Sequence, residues 1–158
     1  MTVALLVVAL AFCALVLTRT WPRMGKRRNV PLGAALKAAR AKIDAAKTDQ
    51  EKADALCEAA DACALAFGRS EAAASYYLRA MRMLPASAEL VERAIENLEH
   101  RPRALEALLW RKLASMESTP NRDVTLAALR GLARVYASRP RLASRARAIA
   151  AILKTLEA

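Results

Sequence analysis

The sequence predicts an all-α protein: an N-terminal transmembrane helix followed by a short solenoid of α–α hairpins. Three observations carry this. Only 4 of 158 residues are glycine, Ala and Leu abound, and β-branched runs are confined to the first 17 residues, a composition of strong helix formers. Beyond that segment, apolar residues recur at three- and four-residue steps, the spacing of one helix face. Helix-breaking residues return at near-regular intervals: Gly68, Pro102 and Pro140 are 34 and 38 residues apart, and Pro85 and Pro120 are 35 apart.

Residues 1–18 read as the anchor. Residues 3–17, VALLVVALAFCALVL, are unbroken apolar sequence, and about 18 helical residues reach roughly 27 Å, close to a ~30 Å hydrocarbon core. Residues 19–31 read as a basic juxtamembrane linker. Arg19, Arg23, Lys26, Arg27 and Arg28, with Trp21 among them and no charge before the run, suit a cytoplasmic membrane surface. The expected arrangement is a single pass with the remaining chain in the cytoplasm. The alternative is a cleaved signal, which would leave the chain periplasmic or secreted. Such signals normally carry a positive n-region, and none is present. Leu10, Ala11, Phe12 and Cys13 faintly resemble a lipoprotein cleavage box, but Phe12 stands where a small residue is expected.

Residues 32–158 read as the repeat domain. A leading amphipathic helix over 32–47 places Leu32, Leu36, Ala39, Ile43 and Ala46 on one side, with Lys37, Arg40, Lys42 and Asp44 largely elsewhere. Thr48 and Glu51 form a capping box, opening a helix to about residue 67 whose Ala55, Ala59, Ala62 and Ala66 offer a smooth side. Gly68 breaks that helix, Ser70 is placed to cap the next with Glu71 in its first turn, and Pro85 ends it. Ser87 caps a helix ending near His100, with Leu90, Ala94, Ile95 and Leu98 as its apolar stripe. Pro102 starts the next, carrying Leu105, Leu108, Leu109, Leu113 and Met116, with Trp110 beside them. Thr119 and Pro120 restart the pattern, and Leu126, Leu129, Leu132, Ala133 and Tyr136 make the next helix. After Arg139, Pro140 and Arg141, the last helix carries Leu142, Ala146, Ile149, Ile152, Leu153 and Leu156. The hairpins are therefore 48–85, 86–119 and 120–158.

The helix over 68–85 resembles the second helix of a tetratricopeptide (TPR) repeat. That family shows Gly, Ala five on, an aromatic four on, Ala three on, a large apolar residue next and Pro four on. Gly68, Ala73, Tyr77, Ala80, Met81 and Pro85 meet every step. Leu132, Ala133 and Tyr136 resemble the family's first helix, and the breaker spacing is near its 34-residue period. The second hairpin departs from the pattern, lacking both the Gly turn and the aromatic spacing. A generic helical bundle remains the alternative. The resemblance implies a scaffold that binds other proteins, with the first helix of each unit lining a concave groove. The family's basic clamp for carboxylate tails is not supported: on the comparable side the first unit offers Ala55, Glu58, Ala62 and Leu65.

No catalytic constellation is legible, and no enzyme, metal site or cofactor is expected. His100 is the only histidine, the glycines are scattered, and three cysteines form neither a CxxC pair nor a Cys/His cluster. Cys57 and Cys63 are six apart on one expected helix and cannot bridge each other. Charge is the informative feature. The formal net charge of +11 divides into +5 over 1–30, −2 over 31–99 and +8 over 100–158. Within the expected groove, Glu89, Glu92, Glu96 and Glu99 fall on one stripe of the second unit, while Arg130 and Arg134 share a face in the third. This predicts a polarised groove for a charged segment of a partner protein; a solvated face with ion pairs between neighbouring helices is the bland alternative. A second function class is a basic helical module binding nucleic acid or anionic lipid through Arg101, Arg103, Arg139, Arg141, Arg145 and Arg147. Nucleic acid is the weaker target, since no base-stacking aromatic lies among these arginines and no helix-turn-helix pattern is clear.

Overall fold

Helix α1 (Leu32–Ala45) is the first element of the structure, a computed structural model that describes residues 32–66, 68–116 and 121–157. Ala39 is buried and Leu32, Leu36, Ile43 and Ala46 are half-buried, whereas Lys37, Arg40, Lys42 and Asp44 are exposed. The expected apolar side is thus the one α1 lays on α2 (Asp49–Leu65). Lys42 also pairs with Glu58 of α2 at 2.6 Å. Both groups are well exposed, so the pair adds at most about 1 kcal/mol and the apolar side carries the packing.

Helix α2 begins at the expected capping box. The Thr48 hydroxyl accepts from the Glu51 N–H at 3.2 Å, and the Glu51 carboxylate accepts from the Thr48 N–H at 3.4 Å. Gly68 then turns the chain with φ +74°, a left-handed conformation open to glycine. Helix α3 (Ser70–Met83) follows. Ser70 does not cap it: the turn at Gly68 puts the cap position on Arg69, whose carbonyl accepts from the Ala73 N–H at 3.0 Å, and Ser70 becomes the first helical residue. The helix stops at Met83, two residues before Pro85.

Ser87 caps α4 (Ala88–Leu98), accepting from the Leu90 N–H at 3.4 Å. Pro102 is the first residue of α5 (Pro102–Ala114), where its missing N–H has no intrahelical partner to lose. Helix α6 (Arg122–Ala137) is capped by Asn121, whose side-chain oxygen accepts from the Val124 N–H at 3.1 Å. The expected restart at Thr119 and Pro120 lies outside the described residues. A 3₁₀ turn (Pro140–Leu142) leads into α7 (Ala143–Glu157), so Leu142 precedes the last α-helix.

The described residues thus hold seven α-helices and no strand, and belong to one compact unit, Pro31–Ala158. Each helix packs on its successor, and α2 also meets α4, α3 meets α5 and α4 meets α6. Tyr77, Tyr136, Leu56, Met81, Leu98, Leu108, Leu109 and Leu132 are the largest fully buried side chains. Burying each aliphatic of this size stabilises the fold by about 1.5–3 kcal/mol. Helix α6 is central, touching α4, α5 and α7. It therefore buries more than one side: Val124, Ala127, Ala128, Gly131 and Val135 are enclosed with Leu129, Leu132 and Tyr136, while Leu126 and Ala133 are half-buried. Helix α7, at the end of the stack, buries only Ile149, and Ile152 is exposed.

No helix among the described residues is long and apolar enough to cross a membrane. The expected anchor over 1–18 and the linker with Arg19, Arg23, Lys26, Arg27 and Arg28 lie outside those residues.

Candidate functional site

Helix α4 turns Leu90, Val91, Ala94, Ile95 and Leu98 into the core, which leaves Glu89, Glu92, Glu96 and Glu99 exposed on its other side. The four lie within eleven residues, ten steps or about 15 Å on the helical rise. None makes an ion pair among the described residues. Two of the cations that could balance them, Arg93 and Arg130, are engaged elsewhere. Arg93 bonds Asp61 at 2.6 Å, and Arg130 bonds Glu157 of α7 at 2.7 Å, so Arg130 serves the end of the stack instead of opposing the glutamates. Arg134 is exposed and makes no ion pair among the described residues. Like charges at three- and four-residue steps destabilise a helix by a few tenths of a kcal/mol per pair. The stripe bears that cost without internal compensation. At its N-terminal end it borders a cleft of about 320 Å³ between the start of α2 and the α3–α4 turn, whose lining includes Asp54, Glu89 and Arg93 with Leu84 and Leu90.

Beneath the stripe, Asp61 joins three helices. Its carboxylate accepts from the Tyr77 hydroxyl of α3, from Arg93 of α4 at 2.6 Å and from the Asn97 amide at 3.0 Å; the same amide donates to the Tyr77 oxygen at 2.9 Å. Burial, then the bond to Asp61, raises the Tyr77 pKa well above its ordinary value, so the phenol stays a donor. The hydrogen bond to Asp61 likewise raises Arg93. A parallel cluster surrounds Glu106 of α5. It accepts from the Tyr136 hydroxyl at 2.9 Å and from Arg139 at 3.2 Å, with Arg145 at 3.6 Å, while the Trp110 indole N–H donates to Tyr136 at 2.9 Å. In both places a buried tyrosine donates to a carboxylate on the helix before it, and an arginine farther along the chain completes the pair.

The repeat-defining residues divide by role. Ala73, Tyr77, Ala80 and Met81 are buried, Gly68 makes the turn, and Pro85 is exposed at the next turn. Of the basic set considered for nucleic acid or lipid, Arg139 and Arg145 are turned onto Glu106, and Arg103, Arg141 and Arg147 are exposed. The Asp61 and Glu106 clusters and the burial of Lys112 have no local signal, since their partners lie 16 to 39 residues away in the chain. Cys57 and Cys63 are buried free thiols. Burial pushes Cys57 up to about 11 and raises Cys63 as well. At pH 8 only about one Cys57 thiol in a thousand is then ionised. In a Cys13→Ser background, iodoacetamide should label the native chain far more slowly than the urea-unfolded chain. Fast native labelling would mean that α2 and α3 open readily.

Compared with known proteins, the chain matches no family model, no curated protein and no solved structure.

Proposed function

We propose that this chain is a membrane-anchored, TPR-like scaffold or adaptor that binds another protein and performs no catalysis. The observation that carries this reading is the uncompensated stripe of Glu89, Glu92, Glu96 and Glu99 beside a partly apolar cleft. A helix face kept only for solvation has no need to concentrate four like charges while Arg93 and Arg130 bond elsewhere. A basic helix or tail supplies the missing counter-charge, and Leu84 and Leu90 in the cleft offer it apolar contact. The stacked-hairpin reading is supported by the packing of α2 on α4, α4 on α6 and α3 on α5, the neighbour and next-neighbour contacts of a helical solenoid. The anchor rests on residues 3–17 and the basic cluster after them.

The test is affinity capture of the full-length chain. Glu92→Lys with Glu96→Lys should abolish capture of the main partner while leaving the helical circular dichroism and unfolding midpoint nearly unchanged. Capture by the native chain should weaken as salt rises. Undiminished capture by the double variant would remove the groove from the proposal. A reporter fused after Ala158 tests the topology: protection from extracytoplasmic labelling is expected, and labelling of intact cells would reverse it. The basic-module alternative is weakened by the engagement of Arg139 and Arg145 with Glu106. It predicts instead a steep salt-dependent loss of DNA or liposome binding.

A further inference from the structure

Near their C-terminal ends, α3 and α5 enclose a crevice of about 390 Å³. Its apolar wall includes Leu78 and Met81, and its polar lining is Arg82, Arg111, Lys112 and Ser115, with no carboxylate among the described residues. Lys112 is only 3% exposed, yet it makes no ion pair among the described residues. Its ammonium donates to the Pro85 carbonyl at 2.9 Å, one bond for a group with three donors. Arg82 and Arg111 are exposed and likewise make no ion pair among the described residues. Arginines in the last turn of a helix favour its carbonyl end, and Arg82 and Arg111 occupy that place in α3 and α5. That role does not explain a third cation withdrawn from water. Burial lowers the Lys112 pKa, as expected of an ammonium without a counter-ion. An anion in the crevice would offset that cost of burial.

We infer that this crevice binds a phosphate group, carried as a monoester on an apolar molecule. Two guanidinium forks and an ammonium supply charge and donors for the phosphate oxygens, and the half-buried Leu78 with the exposed Ala114 offers contact to the carbon skeleton of the ester. The inference does not depend on the partner stripe of α4. Helix α4 contributes no residue to the crevice lining.

The experiment is calorimetric titration of the full-length chain in neutral detergent micelles. The probes are inorganic phosphate, dihexanoyl phosphatidic acid and, as a lipid without a phosphomonoester, dihexanoyl phosphatidylcholine. Saturable binding of the phosphatidic acid is expected, about tenfold tighter than inorganic phosphate, with none for the choline lipid. Lys112→Met keeps the volume of the side chain and should weaken binding at least tenfold. Arg82→Gln with Arg111→Gln, both at exposed positions, should do the same without touching the core. Equal affinity for inorganic phosphate and the ester would keep the site but make free phosphate its ligand. Absence of saturable binding by either phosphate, or undiminished binding in both variants, would overturn the inference. Equal binding of the choline lipid would do so too, since the crevice would then be reading the chains and not the phosphate.

Discussion

Tyr77→Ala should cost about 3–5 kcal/mol of unfolding free energy, the range for truncating a buried aromatic. Tyr77 is fully buried between α2 and α4 and also holds the polar cluster around Asp61. The truncation therefore removes the ring, opens a cavity and leaves Asp61 and Asn97 without their shared hydroxyl. Tyr77→Phe separates the two contributions. It keeps the ring and should cost about 1.5–3 kcal/mol, the worth of a hydrogen bond to a charged group. Urea unfolding of the 31–158 unit measures both. An Ala variant with an unchanged midpoint would mean that Tyr77 does not hold the first hairpin together. A Phe variant as damaging as Ala would shift the burden from packing to the Asp61 cluster.

Local rules made most of the helix starts legible. Thr48 with Glu51, Ser87 and Pro102 each act through atoms within three residues, so their sequence is enough to place them. Ser70 fails for a reason of the same range: the left-handed turn at Gly68 moves the cap one residue earlier. Asn121 caps α6 by the same local rule. The amphipathic faces of α1 and α4 read correctly because each has one buried side. Helix α6 has no such single side: three neighbours cover it, and its core set includes Val124, Ala128 and Val135, which depend on which helices meet. The candidate site divides along the same line. The glutamate stripe follows from helical period, whereas the diversion of Arg93 to Asp61 and of Arg130 to Glu157 depends on which helices meet. Period alone left the stripe's counter-ions undecided; the helix packing assigns two of them elsewhere.

Gly131→Leu should destabilise the 31–158 unit by about 3 kcal/mol, at the upper end of overpacking effects. Gly131 lies inside α6, where glycine is unfavourable by about 1 kcal/mol relative to alanine. Its value here is space. A Cβ at this position would lie 2.6 Å from Ile95 Cδ1 and 2.9 Å from Leu109 Cδ1, well inside van der Waals contact. Helices α4 and α5 thus meet α6 at a point where only a hydrogen fits. Gly131→Ala sets the two effects against each other. Its helix propensity gain is about 1 kcal/mol, the strain of moving two core side chains is about 1–3 kcal/mol, and a net loss of about 1 kcal/mol is expected. Ile95→Val removes the Cδ1 atom in the closest contact, and by itself costs about 0.5–1.5 kcal/mol. If that atom sets the strain, the Gly131→Ala, Ile95→Val double variant should be more stable than the two losses added, by about 1 kcal/mol. Simple additivity would mean that the helices move apart instead. Such a movement would also displace the exposed side of α4, which carries Glu92 and Glu96. Gly131→Leu should then weaken partner capture even at temperatures where the domain remains folded. Full capture by that variant would show that α4 holds its position and that the core absorbs the added side chain locally.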